Sequence, residues 1–242
     1  MKFAVLGEHR HFFRQNQALE VEEVLTANQL EELKSQIEKV LEIRLKAKPE
    51  RAFLELPKSI FKVARDFSRE NEILKKLILN KKFAEIATEL IENKSLRYGF
   101  DQLYLNVPDH FDGDEVNPYK ELAQSPVTLQ ETTCLQDVQC GLMICLEGSE
   151  EVKTSDEEVE KPETISIFSK KPGSAVFFTP EKLIDYSELI SNQTSRYLMI
   201  VYTHPKSIYY LQENDPQTHA LKGLGYVFGD RLNDKLNPIV SR

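Results

Sequence analysis

The sequence predicts an α+β fold in a single domain, with helices first and a curled β-sheet after them. Two observations carry this. Apolar residues recur at helical spacing through the stretch from Thr26 to Ile91, and from Leu96 onward they alternate instead. Short alternating runs then follow one another with turn residues between them, which suggests an all-β barrel or sandwich and not a Rossmann sheet. A chain of 242 residues is ample for such a core.

The first element is a strand-like alternation at Leu19 and Val21. Thr26 and Gln29 have capping-box spacing, and Leu30, Leu33, Ile37, Val40 and Leu41 follow as one apolar stripe. "SIFKVARDF" predicts a second helix, with Ile60, Val63, Ala64 and Phe67 on one face. Asn80 can cap a third, whose Phe83, Ile86, Ala87, Leu90 and Ile91 repeat the pattern. In "LRYGFDQLYLNV" the alternation changes parity, which predicts a bulge or a break near Gly99 to Gln102. Further strands are expected in "VTLQETTCL", "CGLMICL", "TISIF", "GSAVFF", "RYLMIVYT" and "SIYYL". Glu147 to Glu163 is acidic and almost free of apolar residues, and reads as a solvated loop. The domain therefore divides into a mainly helical part (18–95), a β core (96–210) and a C-terminal extension (211–242).

Charge and composition exclude several classes. Lys and Arg total 31 against 39 Asp and Glu, a formal net charge of -8. Counterion release needs a basic surface, so nucleic-acid binding is not expected. No apolar run approaches the roughly 18 residues needed to span a bilayer, and the N-terminal stretch lacks the h-region of a signal peptide. Cys134, Cys140 and Cys145 lack the C-x2-C pairs of zinc sites and fall in predicted strands. They read as buried, reduced thiols, and a cytoplasmic location is the simpler expectation.

No nucleophile elbow, P-loop or dinucleotide fingerprint is present. A non-haem iron triad needs two histidines and one carboxylate. His110, Asp112 and His219, with Arg231 beyond, imitate that spacing, but both histidines fall in loop-like sequence. His9 and His11 read as a solvated or locally hydrogen-bonded pair.

Four stretches resemble the phytanoyl-CoA dioxygenase-like family of Fe(II)/2-oxoglutarate oxygenases. They are "EVLTANQLEELKSQIEKVL", "LKKLILNKKFAEIATELIENKSLRYGFDQLYL" with "GLMICLEG", and "PGSAVFFTPEKLIDYSELISNQTSRYLMIVY". The resemblance covers roughly residues 18 to 203 and implies a double-stranded β-helix, a jelly roll of the cupin kind, with N-terminal helices packed on one side. It places the family's H-x-D on Leu135, Gln136 and Asp137, its distal histidine on Asp185, and its cosubstrate arginine on Arg196. Leucine has no lone pair for iron. Two carboxylates without imidazole suit hard cations better than Fe(II), and the ordinary turn reading of Asp137 and Asp185 is preferred to any metal. Arg196 can pair with a ligand carboxylate or with a nearby Glu or Asp, and both stay open.

The expected function follows from this. The chain has the fold of a 2-oxoglutarate oxygenase without a recognisable iron triad, no metal and no cofactor. It is a ligand-binding or interaction protein whose site is Arg196, Asp137 and Asp185, and whose partner is a small carboxylate or another protein. One alternative is a divergent dioxygenase using Fe(II) and 2-oxoglutarate through an atypical ligand set. The other is a metal-responsive regulator, which the acidic charge and the lack of a helix-turn-helix disfavour.

Overall fold

Thr26 opens the longest helix as its spacing predicts: its hydroxyl accepts the Gln29 N–H, and the Gln29 side chain accepts the Thr26 N–H at 3.0 Å. The structure is a computed structural model and describes residues 3–46, 57–105, 118–148, 165–191 and 195–241. In chain order the elements are α1 (Gly7–Asn16), β1 (Ala18–Val21), α2 (Ala27–Leu45), α3 (Pro57–Val63), α4 (Glu72–Ile78), α5 (Lys81–Ile91) and β2 (Leu96–Leu105). Then come α6 (Pro118–Leu122), β3 (Val127–Thr128), β4 (Val138–Glu147), β5 (Ala175–Phe178), β6 (Leu183–Ile184), α7 (Ser187–Ser191), β7 (Arg196–Thr203) and β8 (Ile239–Ser241).

The apolar stripe of α2 is buried as expected, at Leu30, Leu33, Ile37, Val40 and Leu41. Asn80 caps α5 by accepting the Lys82 N–H at 3.0 Å. Asn71 caps α4 the same way, accepting from Ile73 and Leu74. The second predicted helix is shorter than its apolar spacing implied. It ends at Val63, and Arg65 instead makes an antiparallel bridge to Gln102. The cause is tertiary. The buried carboxylate of Asp101 accepts the N–H groups of Phe67 at 2.7 Å and Ser68 at 3.1 Å, which pulls the chain into a short 3-10 turn.

The strands form a six-stranded antiparallel sheet in the order β1-β5-β4-β7-β2-β8, with a second pair, β3-β6. The β2–β7 register shifts between Tyr98 and Phe100, at the predicted bulge. Gly99 sits there because a Cβ would lie 3.0 Å from both the Val201 carbonyl oxygen and Leu135 Cδ1. The described part of "TISIF", residues 165–168, forms no strand, although Ile167 and Phe168 are buried, and "SIYYL" makes only isolated bridges at Ile208 and Tyr209. Almost all of the acidic stretch expected to be a loop lies outside the described residues.

Alternation sends the two sides of each strand into different cores. Leu142, Ile144, Leu198 and Ile200 pack with the apolar faces of α2 and α5. Met143, Cys145, Tyr197, Met199 and Val201 face the other way, into a core closed by Leu135, Tyr186, Tyr209 and Leu232. The C-terminal segment is stitched to the sheet edge through Arg97. Its Nε donates to the Pro205 carbonyl at 2.9 Å and its Nη2 pairs with Asp234 at 2.8 Å. Among the described residues, no helix is long and apolar enough to cross a membrane.

Candidate functional site

Two of the residues expected to form a site, Asp137 and Arg196, lie at opposite ends of the β4–β7 ladder. Asp137 is exposed with φ 54°, and its backbone carbonyl accepts the His204 N–H at 2.9 Å. Asp185 is also exposed, and its Oδ1 accepts the Ser187 N–H at 2.9 Å, opening α7. Leu135 is fully buried. Arg196 is half-buried, with its Nε 3.0 Å from Glu147 Oε2 and its Nη1 3.1 Å from Glu38 Oε1. Glu38 belongs to α2, so the guanidinium lies on the helix side of the sheet. The register pairs Val138 with Thr203 and Glu147 with Arg196. At about 3.3 Å per residue, the eight residues of β7 put Arg196 roughly 23 Å from the end where Asp137 turns.

His110 and Asp112 lie outside the described residues. His219 is exposed at the start of a 3-10 turn, tilted against Phe228 with centroids 5.8 Å apart. His9 accepts the Leu6 N–H through Nδ1 at 3.0 Å. Among the described residues, no three His, Cys, Asp or Glu side chains converge as a metal site. All three cysteines are buried and free, and burial pushes the Cys140 and Cys145 thiols up to about 12.

A different group of residues does converge, on the inner side of the sheet. The backbone of Ala64 to Asp66 runs beside β2, with Leu103 N–H to Ala64 O at 2.8 Å and Asp66 N–H to Asp101 O at 2.9 Å. This fixes Arg65, which is 6% exposed, with its guanidinium carbon 3.7 Å from the centroid of the Phe100 ring. Its Nε and Nη2 have no hydrogen-bond partner among the described residues. Asp215 is buried nearby, but its oxygens are engaged. Oδ2 accepts the Cys134 N–H at 2.9 Å and Oδ1 the Gln217 N–H at 2.8 Å. Burial is the largest influence and works against the Arg65 charge, and the combined fields of Asp215, Cys134, Asp66 and Tyr104 outweigh it, so the net direction is upward. The Cys134 thiol is pushed up by burial first and by Asp215 second, which makes it a poor nucleophile.

Amides and aromatic rings wall this group. Gln217 Nε2 donates to Gln102 Oε1 and to the Phe61 carbonyl, each at 2.7 Å. Phe61 meets Tyr119 edge-on at 4.9 Å, Tyr104 stacks on Tyr186 at 5.3 Å, and Phe168 abuts Tyr197 at 5.1 Å. Burial raises the Tyr104 phenol to about 12. A cleft of about 430 Å³ is lined by Gln217 together with Phe61, Lys62, Thr218 and His219. Sequence reasoning missed Arg65 and Asp215. The available signal was a lone arginine inside the apolar run "IFKVARDF".

No protein-family model matches the chain, and no curated protein matches it. Solved structures do. The non-heme alpha ketoglutarate dependent carbocyclase SnoK from nogalamycin biosynthesis superposes with TM-score 0.62 and 13% identity, over 98% of this chain and 97% of that one. The non-heme alpha ketoglutarate dependent epimerase SnoN from the same biosynthesis gives TM-score 0.62 and 13% identity, over 97% and 98%. CT296 from Chlamydia trachomatis gives TM-score 0.47 and 13% identity, over 84% and 97%. The fold is therefore that of the non-haem Fe/2-oxoglutarate-dependent enzymes, as the resemblance implied. Leu135, Asp137 and Asp185 do not fit an Fe(II) ion. The first is buried hydrocarbon, and the other two stand exposed in turns.

Proposed function

We propose that this chain uses the oxygenase fold, a double-stranded β-helix, without its iron centre, as a protein that binds a ligand on the inner side of its curled, half-barrel sheet. Leu135 carries the reading. It packs against Gly99 in the position where the resemblance requires the first imidazole, and a hydrocarbon there offers no donor. Asp137 and Asp185 serve their own turns, whereas a metal site needs donors that converge and are oriented by a second shell. A superfold can keep its cavity after its chemistry is lost. The expected partner is a small carboxylate, a protein partner being the other form of the same reading.

The test is anaerobic titration of metal-free protein with Fe(II), followed by gel filtration and metal quantitation. The expected outcome is no stoichiometric retention. One tight equivalent, lost in His219→Ala, would instead support a divergent dioxygenase built on His110, Asp112 and His219. Salt-sensitive retention on DNA would support a metal-responsive regulator.

A further inference from the structure

We infer that Arg65 anchors the ligand by a single planar carboxylate group, bound on the inner side of the sheet. This deepens the proposed function and rests on it. The two unpartnered nitrogens, Nε and Nη2, carry hydrogens on the same edge of the guanidinium plane. That edge takes both oxygens of a carboxylate in parallel hydrogen bonds. A buried guanidinium with that edge unpaired is costly, and a buried polar group left unpaired calls for a ligand, ion or water to complete it. Asp215 does not complete it. No hydrogen bond joins it to Nε or Nη2, its oxygens accept instead from Cys134 and Gln217, and it reaches Arg65 through its field.

The anchor is rigid before any ligand arrives. The Phe100 ring beneath the guanidinium fixes its plane, and the pairing of Ala64 and Asp66 with β2 fixes its backbone. Such preorganisation lowers the entropic cost of binding. The way in is the cleft beside Gln217. That side chain bonds Gln102, which is the bridge partner of Arg65, so the wall of the cleft is tied to the strand that holds the guanidinium. Lys62 at the cleft is exposed and gives the approach a positive charge that favours an anion.

The test uses the full chain, metal-free and then with Fe(II) added anaerobically. Acetate, succinate, 2-oxoglutarate and inorganic phosphate are titrated calorimetrically at constant ionic strength. The expected result is one-to-one binding of at least one carboxylate to metal-free protein, tighter than phosphate. Binding should weaken about tenfold or more in Arg65→Lys, which keeps the charge but loses the fork, and vanish in Arg65→Met. The lysine variant keeps the test decisive if the methionine variant fails to fold. No carboxylate binding with or without Fe(II), undiminished binding in both variants, or equal binding of phosphate would overturn the inference and leave the iron-free reading standing. Carboxylate binding that requires Fe(II) and persists in both variants would overturn that reading as well.

Discussion

Arg196 faces Glu147 across the β4–β7 ladder and pairs with it at 3.0 Å, while its other arm reaches Glu38 on α2 at 3.1 Å. The pairing joins the last residue of β4, the first of β7 and the longest helix. Both partners are partly exposed, so solvent screens the gain. Arg196→Ala is expected to cost on the order of 1 kcal/mol in urea unfolding. It should leave carboxylate binding unchanged. A folded Arg196→Ala variant that loses dicarboxylate binding would return Arg196 to the ligand site.

Gly141 lies opposite Phe178 in the β4–β5 register, and a Cβ there would fall within van der Waals overlap of the Phe178 ring. Gly141→Ala is therefore expected to destabilise by about 1–3 kcal/mol through overpacking. Adding Phe178→Leu should recover part of that loss. A neutral Gly141→Ala would mean that the ring moves aside freely.

Asp101 gives a pH signature. Burial raises its pKa first, the charge of Asp66 adds to this, and hydrogen bonds from Tyr98, Ser68 and Phe67 oppose it, with the net direction upward. The folded state thus holds the proton more tightly than the unfolded chain. This contribution to stability is full below the unfolded value of about 3.9 and is lost as pH rises through the folded value. The stability difference between wild type and Asp101→Asn should narrow as pH rises from about 3 upward through that window. Chemical denaturation across pH measures it, and a difference that widens would mean that the hydrogen bonds dominate.

Local signals account for what the sequence revealed. The Thr26 cap, the α2 stripe and the bulge at Gly99 are each set by residues within a few positions of one another. The end of α3 is different, because Asp101 takes the Phe67 N–H from 34 residues away. The strand expected at "TISIF" failed for a related reason: Ile167 and Phe168 are buried by packing, with no strand ladder to pair them. Helix α1 buries only Phe13, so its apolar pattern was too sparse to read. The Arg65 site was hidden for the same reason as the end of α3. Phe100, Cys134, Asp215 and Gln217 come to it from distant segments, and no spacing rule joins them.

The most direct measurement is a crystal structure of the protein soaked with Mn(II) and 2-oxoglutarate, with anomalous data collected at the manganese edge. The account predicts no anomalous peak inside the half-barrel, and a carboxylate lying along the Nε–Nη2 edge of Arg65. A peak inside the half-barrel coordinated by imidazole or carboxylate, with 2-oxoglutarate bound to it, would contradict it.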